Sequence, residues 1–189
     1  MEIKKIHKWF IVFSFRVLAI YLAFYMIYAI FSIFGLFYYV NIFEATLAHN
    51  IMQIFYPEIE ITKNTLTNLV VNGNYSNFAV TIDNICLGWF PITGFISMII
   101  ALPRISAKKK IYSILIGIPV LFAANILRII IILFAAALLG IAGFNFFHLF
   151  IVKFDLLIVI IFLFIFVIKK VIGKKELLKS INSFSDKKE

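Results

Sequence analysis

A single cysteine, Cys86, stands among 189 residues. One thiol excludes an internal disulfide and any metal site built from several cysteines. Charge is scarce as well. Asp, Glu, Lys and Arg make up 14% of the chain, where a soluble domain carries about a quarter. Acidic residues number nine against eighteen basic ones, a formal charge of +9. No internal repeat and no soluble second domain stand out. What fills the space is apolar: 63% of residues are hydrophobic, mean hydropathy is +1.06, and the excess lies in long unbroken runs. Such runs read as membrane spans. A charge of +9 on a soluble domain would suggest nucleic acid as a partner. Here the basic residues flank the apolar runs, so they read as orientation signals, and no nucleic-acid partner is expected.

The pattern predicts a polytopic α-helical membrane protein with about four transmembrane helices. The first apolar run extends from Trp9 to about Val40. That is far beyond the ~7–15 residues of a signal peptide, so it reads as a retained anchor. Spans are expected at about 9–37, 85–102, 111–139 and 149–168. Pro103 stops the second, Pro119 kinks the third, and a short turn over 140–147 joins the third to the fourth. Residues 1–172 then form one integral membrane domain, followed by a basic cytoplasmic tail over 173–189. Between the first two spans, residues 41–85 differ in character. Ile42, Phe43, Leu47, Ile51, Met52, Ile54 and Phe55 recur at roughly helical spacing, with Glu44, His49, Asn50 and Gln53 between them. That predicts a helix lying at the interface. After Pro57 the period drops to two, at Glu58–Thr62 and again at Phe78, Val80 and Ile82. Asn72-Gly73 is a favoured pair for a tight hairpin turn. A small extracytoplasmic β-hairpin cap is expected, its last strand leading to Cys86.

Fifteen of the eighteen Lys and Arg lie before residue 17, in the 104–110 loop, or in the tail from Lys169. The positive-inside rule then makes both termini and that loop cytoplasmic, with the cap and the 140–148 turn outside, in a multi-pass plasma-membrane protein.

Three polar residues converge on one depth in this arrangement. Cys86 opens the second span from outside. Arg128 lies 17 residues up the third span, ~25 Å into a ~30 Å core. His148 starts the fourth span, again from outside. An arginine inside an apolar span is costly, at least ~2.5–3.5 kcal/mol on insertion scales. It persists where it has a partner or a task. Asn125 shares its helix face, three residues earlier. A thiol attacks as its thiolate, which a nearby His or Arg favours. A histidine can protonate a leaving amine, and an arginine can hold a developing oxyanion. Cys86, Arg128 and His148 are therefore the candidate catalytic residues for acyl transfer, with Asn125 in support. No cofactor and no metal are expected.

These residues, Cys86 in CLG, Arg128 in NILRI and His148 in FFHLF, give the chain a resemblance to the exosortase/archaeosortase family over about residues 73–166. That family's members are polytopic membrane cysteine peptidases of transpeptidase type. The resemblance implies exported protein substrates bearing a C-terminal sorting signal made of a short motif, a hydrophobic helix and a basic end. It further implies cleavage beside the motif through a Cys86 thioester, and transfer of the new C-terminus to a cell-surface acceptor such as a membrane lipid. It implies that Arg128 holds the oxyanion or the thiolate, and that His148 protonates the departing amine and then activates the acceptor. The chain is shorter than larger members of that family, which have about eight spans.

Two rivals stand beside this reading. One is a cysteine hydrolase on the same fold, releasing its product to water. The other is a non-enzymatic membrane subunit or small transporter, against which the sequence offers no second intramembrane charge and no inverted repeat. Asn74-Tyr75-Ser76 matches a glycosylation acceptor. Asp83 and Asp155 lie near the same depth and could orient His148 or Arg128, but such residues are more often wet helix ends; His7 and His49 read as solvated or interfacial side chains.

Overall fold

A computed structural model describes residues 2–55, 60–63, 68–72, 77–81 and 88–173. The elements in chain order are helix α1 (Glu2–Ile33), helix α2 (Phe37–Phe55), strands β1 (Glu60–Lys63), β2 (Asn68–Asn72) and β3 (Asn77–Thr81), helix α3 (Trp89–Ala101) and helix α4 (Ala107–Val167). A π-helical turn, Ile168–Ile172, follows α4. Among the described residues two helices are long and apolar enough to cross a membrane: the His7–Ile33 part of α1 and the Ala107–Leu149 part of α4. Helix α3 is apolar but shorter.

The chain divides into two compact units. The first comprises residues 1–29, 89–121 and 159–189. Its core holds Phe95, Ile99, Leu102, Ile105, Leu121, Leu163 and Val167, with Trp9, Phe13 and Phe164 packed against it. Hydroxyls that face this apolar interior are satisfied within their own helices. Thr93 donates to the Trp89 carbonyl, Ser97 to that of Thr93, and Ser113 to that of Lys109. Such back-bonding spares a buried hydroxyl the cost of desolvation. Two lysines of the basic segment close helix ends. Lys109 Nζ donates to the Ile172 carbonyl at 3.1 Å and Lys110 Nζ to the Ile100 carbonyl at 2.6 Å. A cation is well placed beside the free carbonyls of a helix C-terminus.

The second unit comprises residues 30–88 and 122–158. Ala45, Ala48 and Met52 of α2 pack against Ile126, Ile129, Leu133 and Ala137 of α4. The sheet has the order β1-β2-β3 with both pairings antiparallel, and α2 lies against β1 and β2. Asn72 pairs with Asn77 in the ladder. Asn72 is thus a strand residue and not the centre of a tight turn, and the connection runs over residues 73–76, which lie outside the described residues.

Two expected boundaries move. The first helix ends at Ile33, not near residue 37. Gly35, at φ 66°, takes the chain through a short turn into α2. No separate turn spans 140–147. The backbone of α4 leaves helical angles at Gly140 alone (φ 66°, ψ −157°), not at Pro119, and is helical again beyond it. His148 therefore lies within a helix, eight residues past the break, and does not start one.

The break at Gly140 reverses the chain. A straight helix of 61 residues would be ~90 Å long. Instead Lys109, near its start, bonds to Ile172, just past its end. At the bend a Cβ placed on Gly143 would come 2.8 Å from the Ala135 carbonyl oxygen. In an unbroken helix those residues would be ~12 Å apart along the axis. Helix α4 is thus two antiparallel limbs, 107–139 and 141–167.

Candidate active site in the second unit

Helix α2 turns an unexpected face inward. Its bulky apolar residues Phe43, Ile54 and Phe55 are exposed, whereas Asn41, Glu44, Ala45, Ala48 and Met52 are buried. The physical reason is close packing. Ala45 and Ala48 are small enough to let α2 approach the first limb of α4, and the i, i+3, i+4 spacing carries Asn41 and Glu44 to the same face. Glu44, expected among the polar residues of an interfacial helix, is 1% exposed.

Across from it, α4 presents Asn125 and Arg128, 0% and 4% exposed. The Asn125 Nδ2 amide donates to Glu44 Oε1 at 3.2 Å. The backbone N–H of Gly88 donates to the same carboxylate, and the guanidinium of Arg128 stands within its electrostatic reach. Glu44 Oε2 is buried and has no hydrogen-bond partner among the described residues. Burial pushes the Glu44 carboxyl up from its ordinary 4.5 to about 7. The Asn125 hydrogen bond, the Arg128 charge and the Gly88 N–H each pull the other way. Helix α2 is not among the helices long and apolar enough to span, so this carboxyl lies outside those segments.

Gly88 fits this arrangement for want of a side chain. A Cβ there would lie 3.2 Å from Asn125 Cβ and 3.3 Å from its Cγ. On the second limb of α4, His148 is half-buried and stacks on Phe144, ring centroids 5.2 Å apart and planes 13° from parallel. Four positions along a helix bring two rings onto one face. Arg128 acts electrostatically on the His148 imidazole.

Of the residues singled out in the sequence, the structure therefore brings Asn125, Arg128 and His148 into one unit. Cys86 lies outside the described residues, and Gly88, two positions later in the chain, is the nearest described one. Sequence reading missed Glu44 and Asn41. The signal was present: both sit at helical spacing with Ala45, Ala48 and Met52, a stripe of small residues suited to tight contact. Sequence reading also found no second charge to accompany Arg128. Glu44 supplies one from α2, outside the long apolar helices, buried and within electrostatic range of the guanidinium. Among the described residues no three His, Cys, Asp or Glu side chains gather as a metal site would require.

Chemically, a buried guanidinium and an imidazole in range of one another can hold an anion and move a proton. No family model matches the chain, and neither does any curated protein or solved structure.

Proposed function

We propose that this chain is a multi-pass membrane cysteine transpeptidase with Cys86 as nucleophile, Arg128 as anion holder and His148 as proton shuttle. One observation carries the reading. Arg128 is buried, within electrostatic range of His148, and flanked by Asn125, which lies against Gly88 just after Cys86 in the chain. Four spans are assigned to α1, the segment ending in α3, and the two limbs of α4. The distribution of Lys and Arg puts both termini in the cytoplasm and the site at the extracytoplasmic face.

In the first step the Cys86 thiolate attacks the scissile carbonyl carbon beside the sorting motif. Arg128 holds the oxyanion. The C–N bond breaks as His148 delivers its proton to the departing amine, leaving a thioester on Cys86. In the second step an acceptor hydroxyl or amine loses its proton to His148 and attacks the thioester. The new ester or amide leaves, and the thiolate returns. Water as acceptor turns the same site into a hydrolase, and product analysis separates the two outcomes.

The first test is alkylation of Cys86 by iodoacetamide against pH, in the purified full-length protein. Arg128→Ala and His148→Ala are each expected to move the apparent thiol pKa by about one unit, roughly tenfold in thiolate fraction near neutral pH. Unchanged profiles in both variants would remove the physical basis of the nucleophile.

The buried Glu44 beside Arg128 favours one rival, a small transporter with an ion path through these groups. Proteoliposomes with a trapped pH dye decide it: proton flux in the native protein that Glu44→Gln abolishes would support the transporter.

A further inference from the structure

We infer that Glu44 is a positioning residue of this site, its carboxylate holding the Arg128 guanidinium in place from across the α2–α4 contact. The inference rests on the functional reading above and adds a residue to it.

Four observations of this side chain carry it. Glu44 is almost completely buried on the face of α2 that meets α4. Its Oε1 accepts from Asn125, one helical turn before Arg128, so the carboxylate addresses the face of α4 that bears the arginine. The guanidinium feels the carboxylate charge. The Gly88 N–H donates to the same group, so one side chain of α2 ties together α4 and the residue that leads into α3. A carboxyl with no role at this position would be replaced at a gain. Burying it is costly, and one of its oxygens, Oε2, has no hydrogen-bond partner among the described residues.

The carboxylate also offers a signature that mere structural support lacks. Removing a negative charge near a thiol lowers the thiol pKa. Releasing a guanidinium that stabilises the thiolate raises it. The two effects have opposite signs, so the direction of the shift identifies the role.

The experiment is the pH profile of Cys86 alkylation by iodoacetamide, on the full-length protein in detergent, for Glu44→Gln, Glu44→Asp, Arg128→Gln and the double variant Glu44→Gln/Arg128→Gln. Glu44→Gln is expected to raise the apparent thiol pKa by about half a unit to one unit. Glu44→Asp, which keeps the charge, is expected to recover at least half of that shift. The double variant is expected to match Arg128→Gln alone, because Glu44 acts through the arginine. A fall or no change in Glu44→Gln, or additive shifts in the double variant, would overturn the inference while leaving the functional reading intact. No shift in Arg128→Gln would overturn this inference by removing the role of the arginine, and together with an unchanged His148→Ala profile it would overturn the functional reading as well. Should Glu44→Gln fail to fold, judged by circular dichroism and size exclusion, Asn125→Leu instead removes the hydrogen bond that aims the carboxylate at this face of α4. Its thiol pKa is expected to rise in the same way, and an unchanged value there would overturn the inference.

Discussion

Replacing Gly140 by alanine is expected to lower the thermal midpoint of the purified protein by several degrees, and the pair Gly140→Ala/Gly143→Ala to leave no cooperative transition. Gly140 sits at φ 66°, ψ −157°, a region open in practice to glycine alone, where a side chain costs ~1–3 kcal/mol. Gly143 is constrained by space. A Cβ there would overlap the Leu139 side chain and stand 2.8 Å from the Ala135 carbonyl oxygen. The oxygen belongs to the backbone of the facing limb and cannot turn away, so relief requires the limbs to part. Overpacking of this kind costs a further ~1–3 kcal/mol. The limbs carry Arg128 and His148 on opposite sides of the bend, so thiol reactivity should change along with stability. Gly94→Ala, in α3 where a Cβ meets nothing within 4 Å, is the control and is expected to keep the native midpoint. A native midpoint for Gly140→Ala would show that the reversal does not depend on that residue's conformation.

As pH rises from about 5 to 8 the native protein is expected to lose stability relative to Glu44→Gln, so that the two stability–pH curves diverge. The Glu44 carboxyl goes from 4.5 to about 7 on folding because burial penalises its charge. A group with a raised folded-state pKa binds its proton more tightly in the fold. Its stabilisation is complete below 4.5, the value of the unfolded chain, and is lost progressively as pH rises through about 7. A shift of this size corresponds to a few kcal/mol between the two ends of the window. Glutamine keeps the acceptor for Asn125 and removes the titration. At pH 8 the variant should therefore melt at or above the native midpoint, while its Cys86 profile shifts upward. Thermal unfolding across pH 5–8 for the two proteins checks this. Parallel slopes would show that Glu44 does not titrate on folding. If both results hold, Glu44 exchanges stability above neutral pH for the positioning of Arg128.

Much of this molecule was legible in its residues, and particular positions show where that stopped. The helical character and the two long apolar helices follow from unbroken hydrophobic runs, since a chain so poor in charge must bury its backbone polar groups in its own helices to be stable in lipid. Arg128 and Asn125 declared themselves as polar residues in the apolar stretch ANILRIIII. His148 was found, but its setting was misread: Gly143 and Asn145 suggested a turn, while packing of the two limbs needs one non-helical residue and continues the helix through the rest. Cys86 enters as nucleophile on sequence reasoning alone.

Glu44 marks the other side of the division. Sequence by itself determined that α2 would alternate apolar and polar residues at helical spacing. It could not determine which face turned inward, because the larger apolar residues lie on one face and the small ones on another. Only tertiary structure decided that. The two alanines let α2 approach α4 closely, the close approach excluded the bulky face, and a glutamate that local pattern assigns to water came to rest beside Asn125 and within reach of Arg128. Local periodicity records which residues share a face. The choice among faces is made by the shape of the partner, and that partner lies some eighty residues away along the chain.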